Sequence, residues 1–354
     1  MSDITVLAFT WNTQSLRLYE TLDLRVVEEH RTESMTTWRY SGVLADFWPD
    51  LSEKIQEERP SIFVVSFQED IRPGGYFHSH LLPEEMPRLG YRLFDRTTLM
   101  GVGQTTVTGL KNADPFVRGL RLSVYVRNDV DAKMRFPSAT FTPSYFRNKG
   151  GVAVYLTLPN SFTLAIINTH FPFDSESLTA TVQKEDLVIR QDAVLQQDRF
   201  YNQLYRALVM ETPASPQYVL MMGDFNYRNY PMASWSAAET GKLVLEGRGA
   251  DFDELRQEFT KRNVYSFEEG IDDRGPSFAP TCKMVKNRVP GDSSLEAYDL
   301  GKYDQRVPSH CDRILYKTLA DGGTRIVCTA YDRFDVGVMN KSDHAGVIGS
   351  YKIS

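Results

Sequence analysis

The stretch YVLMMGDFNYR at residues 218–228 joins an apolar run to a short polar segment. The run Tyr218–Met222 is short and rich in aliphatic and aromatic side chains, which favours a buried strand. Asp224 and Asn226 follow directly, where this strand ends. Because a strand end on a rigid scaffold can direct side chains into a cleft, the stretch predicts both a core strand and a candidate site.

Eight further runs have the same apolar, β-branched and aromatic character and are also predicted as strands. They are Thr5–Phe9, Ile62–Phe67, Leu120–Val126, Val152–Leu158, Phe162–Asn168, Arg313–Tyr316, Ile326–Ala330 and Gly346–Ile353. The turn-forming sequence PNS at residues 159–161 predicts a hairpin between the two runs that flank it. The gaps between strands vary in length, which argues against a regular alternation of strands and crossover helices.

Two apolar stripes at helical spacing are predicted to be core-facing surfaces of helices. Leu44, Phe47, Leu51 and Ile55 recur at intervals of three and four residues, and Pro60 then stops the helix. The second stripe precedes Pro213 and consists of Val194, Tyr201, Leu204, Tyr205 and Leu208.

The chain is predicted to form one α/β domain over residues 1–354. No repeat, low-complexity tract or Gly/Ser linker divides it, and the polar, glycine-containing stretch Lys286–Arg306 is interpreted as a long surface loop. The composition is 42% apolar and 12% aromatic, enough for a large buried core.

Charge and cysteine usage limit the environment and the partners of the chain. The net charge of −6 gives no global basic field to attract nucleic acid, so an anionic substrate needs local cations. The three cysteines match no disulfide or zinc pattern, which favours a reduced intracellular protein. No signal peptide or membrane-spanning run is evident, so a cytoplasmic location is expected, with peripheral membrane attachment left open.

Six short segments place polar residues at the ends of apolar strand-like runs. They are residues 10–12, 66–69, 168–170, 223–226, 310–313 and 342–344. Each segment alone is typical of a turn, a solvated strand edge or an ordinary histidine. Together they supply oxygen ligands for Mg²⁺, a carboxylate base and a histidine with a carboxylate partner, which predicts metal-dependent phosphoester hydrolysis.

Phosphomonoester cleavage requires an activated in-line water and stabilisation of negative charge on the phosphoryl oxygens. Asp224 is predicted to take the proton of the water, and the amide of Asn226 is predicted to orient that water. Glu69 and Asn12 are predicted to hold Mg²⁺ through their oxygens.

The charge-stabilising groups are predicted to be histidines. His344, if Asp312 keeps it protonated, can donate to a non-bridging phosphate oxygen. His170 offers a second donor to the same group.

Two stretches resemble the signatures of the inositol polyphosphate 5-phosphatases. They read LMMGDFNYR at residues 220–228 and RVPSHCDRIL at residues 306–315. The blocks NKGGV, PTCK and SDH, at residues 148–152, 280–283 and 342–344, are similar to further family blocks in the expected order. The resemblance covers essentially the whole chain, and its Tyr-Arg and Cys-Asp-Arg extensions separate this branch from related nucleases.

The resemblance implies a four-layer α/β/β/α sandwich, in which two mixed β-sheets pack between outer helices as in DNase I-like enzymes. It implies Mg²⁺ as the cofactor. The implied catalytic residues are Asp224, Asn226, His344, Asp312 and His170. The implied metal-binding residues are Glu69, Asn12 and Asp343. The implied substrate-binding residues are Arg228, Lys283, Tyr227, Asn148 and Lys149. Within the last set, Arg228 and Lys283 match positions associated with the neighbouring 4-phosphate.

The predicted function is Mg²⁺-dependent removal of the 5-phosphate by in-line attack of an Asp-activated water. Its substrate is expected to be a soluble inositol phosphate such as Ins(1,4,5)P3, or the lipids PtdIns(4,5)P2 and PtdIns(3,4,5)P3. Another DNase I-like phosphodiesterase, such as an endonuclease or a sphingomyelinase, is an alternative, although no broad basic surface favours nucleic acid. A catalytically inactive phosphoinositide-binding module is a further alternative. The presence of all six polar segments argues against it, because loss of catalysis would be expected to erode some of them.

Three positions depart from the family pattern. His310 stands where the family usually has Trp, and Cys282 stands where it usually has Tyr, so substrate preference is open at both. Arg147 stands where glycine is common, beside Tyr145 and Phe146. That aromatic pair is interpreted either as a membrane contact or as ordinary loop side chains.

Overall fold

Two β-sheets of six strands each form the centre of the computed structural model. The structure describes residues 3–14, 47–71, 81–100, 118–143, 149–172, 197–229, 235–257, 267–301, 306–320 and 323–354. The first sheet has the spatial order β11 (Ile326–Phe334), β12 (Gly346–Ile353), β1 (Ile4–Asn12), β2 (Ile62–Ile71), β4 (Arg118–Arg127) and β3 (Tyr91–Met100). The second has the order β5 (Lys133–Phe141), β6 (Gly150–Thr157), β7 (Thr163–His170), β8 (Tyr218–Asp224), β10 (Asp312–Thr318) and β9 (Glu268–Glu269).

Both sheets are mixed. β1 and β2 pair in parallel, as do β7 and β8, whereas the other pairs are antiparallel. All nine predicted strands are present, and β6 and β7 form the predicted hairpin around the single turn Pro159–Ser161. The parallel pairs matter for the site because their carboxyl ends lie at the same edge.

One apolar core lies between the two sheets. Val6 and Val64 of the first sheet pack there with Val154, Leu220 and Ile314 of the second. Side chains alternate between the two faces of a strand, so the neighbouring residues of the same strands must be covered by another layer.

Helical segments cover the outer faces of both sheets. Leu7 of β1 packs with side chains of α1 (Trp48–Glu58), and Ile167 of β7 packs with Leu204 in the helical segment 197–210. The predicted four-layer arrangement of helix, sheet, sheet and helix is therefore confirmed.

Both predicted helical stripes are buried where the structure describes them, except that Tyr205 is half-buried. Leu51 and Ile55 face the core from α1, and the chain leaves that helix through left-handed backbone at Arg59, just before Pro60. Leu44 and Val194, the first members of the two stripes, lie outside the described residues. Among the helices of the described ranges, none has the length and apolar composition needed to cross a bilayer.

Among the described residues, three strands and two α-helices were not predicted from the sequence. β3 and β5 carry many polar or exposed side chains, and β9 has only two residues, so none of these strands has a continuous apolar run. The helices α2 (Leu82–Arg88) and α3 (Ala237–Leu243) are one to two turns long, too short for a clear period.

The stretch Lys286–Arg306, interpreted above as a surface loop, is anchored by a buried arginine. The side chain of Arg288 is 2% exposed and donates to Asp335 from Nη2 at 2.7 Å and from Nε at 3.2 Å. Nη1 of Arg288 also donates to the carbonyl of Ser342 at 2.7 Å. Most described residues of this stretch are exposed or half-buried, as in a surface loop, whereas Arg288 is buried and its charge is therefore paired.

Replacing Arg288 with Met should lower the free energy of unfolding by about 3–5 kcal/mol, because the buried Asp335 would lose its bidentate partner, leaving Arg333 at 4.0 Å as its nearest described cation. The matched control is Arg306→Met, which breaks an Arg–Asp pair of similar length, 2.8 Å, with exposed fractions of 40% and 45%. That change should cost less than about 1 kcal/mol. Urea unfolding measures both values, and equal losses would contradict the role given to burial.

Candidate active site

The ends of strands from both sheets bring the predicted site residues together. β1 ends at Asn12, and β7 and β8 end at His170 and Asp224, which are register partners. β10 begins at Asp312, which lies directly opposite Asp224. A β-bulge in β2 between Phe67 and Asp70 carries Glu69, whose φ is +52°. Bulges commonly redirect side chains next to active sites.

A glycine allows β7 and β8 to approach closely at this edge. Gly223 has a φ of +141°, and a Cβ atom there would lie 1.9 Å from the carbonyl oxygen of Thr169. A larger residue would push the two strands apart immediately before Asp224.

The carboxylate of Asp224 is buried and accepts hydrogen bonds from several sides. Its Oδ2 accepts from Asn12 Nδ2 at 2.8 Å and lies 3.3 Å from His170 Nε2, while its Oδ1 accepts from the backbone N–H of Asn226 at 2.9 Å. Burial alone would raise the pKa of Asp224, but the hydrogen bond from His170 and the positive charge of His344 lower it below its usual value. Asp224 is therefore ionised.

The nitrogen of His170 that faces Asp224, Nε2, also contacts Nζ of Lys149. Burial is the main cause that lowers the pKa of His170, and the charge of Lys149 lowers it further. The described contacts make His170 a neutral ring that orients Asp224. Its direct donation to a phosphate oxygen stays a prediction.

His344 forms the predicted pair with Asp312. Nδ1 of His344 lies 2.8 Å from Oδ2 of Asp312, and both side chains are buried. Burial alone would lower the pKa of His344, but the negative charges of Asp312 and Cys282 raise it well above its usual value. The imidazole is therefore charged, as expected for a group that stabilises an anion.

Asp343 lies next to this pair and is held by two side chains. Its Oδ2 accepts from Gln14 Nε2 at 2.9 Å and contacts the ammonium of Lys283. Its Oδ1 lies 3.8 Å from Nε2 of His344 and accepts no hydrogen bond from the described residues.

Arg228 is fixed by both arms of its guanidinium. Nη1 donates to the sulfur of Cys282 at 3.0 Å, and Nη2 donates to Oδ1 of Asn226 at 3.0 Å. The amide of Asn226 also donates from Nδ2 to the carbonyl of Phe171 at 3.0 Å. The described contacts of Asn226 thus connect Asp224 to Arg228. The alignment of a water by Asn226 stays a prediction.

The donor set fits a hard divalent cation. Ligand atoms of Asp224, Asp312 and His344 lie within 4.8 Å of one another. A protonated imidazole cannot ligate a metal, so the oxygens are the better ligands. Within the described residues, Oδ1 of both Asp312 and Asp343 is buried and accepts no hydrogen bond. A cation bound by oxygens would satisfy such atoms.

The fold and this geometry agree with a known family. The family model described as Endonuclease/Exonuclease/phosphatase family 2 matches residues 9–350. The chain belongs to this family. The matched range includes every residue of the site described above.

Two curated relatives carry the name that the sequence resemblance implied. Type II inositol polyphosphate 5-phosphatase 14 of Arabidopsis thaliana is 34% identical over 108 residues, which cover 29% of this chain and 8% of that protein. Type II inositol polyphosphate 5-phosphatase 15 of the same plant is 28% identical over 226 residues, which cover 56% and 19%. The matched stretches therefore span less than a fifth of either relative.

Solved structures share the fold at low sequence identity. The inositol polyphosphate 5-phosphatase domain of SPsynaptojanin, in complex with inositol (1,4)-bisphosphate and calcium ion, has a TM-score of 0.59, 17% identity, and coverage of 99% of this chain and 84% of that chain. The ferrous NO complex of Cimex nitrophorin has a TM-score of 0.58, 14% identity, and coverage of 100% and 99%. Proteins of this fold thus differ in function, so the function has to be argued from the residues of the site.

One predicted substrate-binding residue, Tyr227, is buried, and another lies outside the described residues. The side chain of Tyr227 is buried in the core cluster around Phe171, and its hydroxyl donates to Asp198 at 3.3 Å. Its described position is structural, and a contact with substrate stays a prediction. Asn148 lies outside the described residues, as does the segment 145–147.

Sequence reasoning missed three polar residues that support the site. Gln68 donates to Oδ1 of Asn168 at 2.7 Å across the two sheets, and Gln14 holds Asp343 as described above. Gln68 and Asn168 belong to quoted polar segments, so their strand-end positions were a signal. Gln14 carried none, because its partner is more than three hundred residues away in the chain.

His310, which stands where the family usually has Trp, should make the stability depend on pH. Its Nε2–H donates to the carbonyl of Phe278 at 2.8 Å, and burial is the main cause that lowers the pKa of His310 to about 4. The unfolded chain binds the proton near the ordinary value of about 6.5. The contribution of neutral His310 to the free energy of unfolding is therefore fully present above the unfolded-state pKa. It is lost as the pH falls towards the folded-state pKa of about 4, by about 3 kcal/mol in all.

The measurement is the free energy of unfolding in urea between pH of about 7.5 and about 4. His310→Phe keeps an aromatic ring that cannot titrate, so its stability should fall less steeply over this range. Parallel curves for the two proteins would contradict the assignment to His310.

Proposed function

We propose that this chain is a magnesium-dependent phosphatase that removes the 5-phosphate from inositol polyphosphates or from phosphoinositide lipids. The observation that carries the proposal is the meeting of an ionised carboxylate, Asp224, and a charged histidine, His344, at one edge of the sandwich. The names of the two plant relatives support the substrate class. The ligand in the SPsynaptojanin structure, inositol (1,4)-bisphosphate, is what remains when the 5-phosphate leaves Ins(1,4,5)P3.

Asp224 would align the attacking water. Its Oδ1 accepts one backbone hydrogen bond and, like any carboxylate oxygen, has a second acceptor position. The lowered pKa keeps Asp224 ionised but makes it a weak base, so its main contribution is the direction of attack and only secondarily proton affinity. Asn12, Asn226 and His170 restrict the carboxylate to one orientation.

His344 would stabilise the charge that develops on the transferring group. With Nδ1 engaged by Asp312, Nε2–H is the atom that can reach a phosphate oxygen. Because this donor is charged and fixed before substrate binds, it needs no reorganisation during the reaction.

Glu69, Asn12 and Asp343 would hold the metal ion through oxygens, with Asp224 nearby. When bound, Mg²⁺ would neutralise phosphate charge and polarise the phosphoryl oxygens. Oδ1 of Asp343, which accepts no hydrogen bond from the described part of the chain, and the oxygen-rich donor set support this choice of ligands.

Local cations would bind the inositol phosphate on an otherwise acidic chain. Arg228, Lys283 and Lys149 all contact residues of the site, against a net charge of −6. Arg228 can meet a phosphate with its planar fork, whereas lysine acts as a point charge.

The test is phosphate release from Ins(1,4,5)P3 and from vesicles containing PtdIns(4,5)P2, each with Mg²⁺ and with excess chelator. The parent should release phosphate only with the metal. Asp224→Asn should lower kcat by roughly three orders of magnitude, as expected for loss of the group that aligns and deprotonates water. Asp332→Asn, a change of an exposed aspartate in β11, is the matched control and should retain full activity. Cleavage only of nucleic acid or sphingomyelin would instead support a phosphodiesterase.

Lys283→Ala should lower kcat/KM for substrates that carry a 4-phosphate by roughly tenfold to a hundredfold, the effect of losing a charged hydrogen bond. A substrate without the 4-phosphate should be much less affected. Lys286→Ala is the control, because Lys286 is exposed and its charge lowers the pKa of Asp343 from a distance. Equal losses on both substrates would indicate that Lys283 acts through Asp343 and not on the inositol ring.

A further inference from the structure

Cys282 occupies a central position between two segments of the site. Its side chain is fully buried, and its backbone forms bridges to Ser309 on one side and His344 on the other. The backbone N–H of Cys282 donates to the carbonyl of Ser309 at 3.0 Å. The sulfur therefore has a fixed place relative to both segments.

The sulfur contacts the side chains of an arginine and a histidine. Arg228 Nη1 donates to it at 3.0 Å, and His344 Nε2 lies 3.5 Å from it. Each of these two side chains also has a partner on its far side, which is Asn226 for Arg228 and Asp312 for His344. The two donors thus converge on one atom.

We propose that Cys282 is a positioning residue, whose sulfur holds the Arg228 guanidinium and the His344 imidazole so that both can bind one anionic phosphate group. Sulfur is a weaker hydrogen-bond acceptor than an anionic phosphate oxygen. The sulfur can therefore hold the two donors in place without the ligand and release them when a phosphate arrives. The inference rests on the proposed function for the identity of the anion.

The contacts form one continuous path from the carboxylate to the histidine. Asp224 accepts a hydrogen bond from the backbone N–H of Asn226, and the side chain of Asn226 accepts one from Arg228. Arg228 also donates to the sulfur of Cys282, which lies 3.5 Å from His344 Nε2. A tyrosine is usual at position 282 in the family that the sequence resembles. The link through sulfur is therefore a property of the residue that this chain carries.

Replacement of the sulfur tests the proposal through two readouts, the affinity for inorganic phosphate by calorimetry and the kcat and KM of phosphate release from Ins(1,4,5)P3. Cys282→Ala should weaken phosphate binding by about fivefold to tenfold, the effect of losing one positioned hydrogen bond. Cys282→Ser keeps an acceptor and should restore most of the affinity. Cys328→Ala removes a buried thiol of β11 whose Sγ bonds to the Ala330 carbonyl, and should leave binding unchanged.

A double-mutant cycle separates positioning from mere packing. Because Cys282 acts in part through Arg228, the loss of phosphate affinity caused by Cys282→Ala should be smaller in an Arg228→Gln background than in the parent. Additive losses would overturn the proposal, as would parent-like binding by Cys282→Ala or absence of phosphate binding by the parent. If Cys282→Ala fails to fold, Cys282→Val fills a similar volume without an acceptor and should show the same loss.

The two readouts distinguish this inference from the proposed function. A parent that binds phosphate but hydrolyses no inositol phosphate would refute the proposed function, and the cycle on phosphate binding would still decide the role of Cys282. A parent that hydrolyses Ins(1,4,5)P3 while Cys282→Ala binds and turns over normally would refute only the role of Cys282.

Discussion

The burial of the Asp224 carboxylate is the constraint on which the rest of the site depends. A buried charge is tolerated only when hydrogen bonds replace the water it has lost. Asn12 comes from the first sheet, whereas Asn226 and His170 come from the second, so satisfying one carboxylate fixes how the two sheets meet at this edge. The close approach of β7 and β8 at Gly223 is part of the same requirement.

Two further buried arginines hold the segments that complete the site. Arg313 is fully buried, pairs with Asp253 at 2.6 Å and Glu269 at 2.9 Å, and follows Asp312 directly in β10. Arg288 bonds to the carbonyl of Ser342, immediately before the residues that supply the second carboxylate and the charged histidine. Buried ion pairs add little net stability compared with apolar packing, but breaking one is costly. Their effect is to restrict the site segments to one arrangement.

The fold of this chain does not by itself identify the reaction that the site supports. A 5-phosphatase domain and a nitrophorin align with the chain about equally well, so the sandwich specifies only where strand ends meet. The chemistry comes from which polar residues stand at those ends and from the charges they impose on one another. On an acidic chain, the cations Arg228, Lys283 and Lys149 make the site locally suited to an anion.

The sequence by itself determined the nine strands with continuous apolar runs and the polar segments at their ends, because both are local patterns. It did not reveal β3, β5 and β9, whose side chains are polar or whose length is too short for a period. Only the tertiary structure decided that Gln14 holds Asp343 and that Cys282 lies between Arg228 and His344. These partners are between 54 and 329 residues apart in the chain, and only folding brings them together. Contacts of this kind leave no periodic signal in the sequence, since each depends on how two sheets and their loops pack.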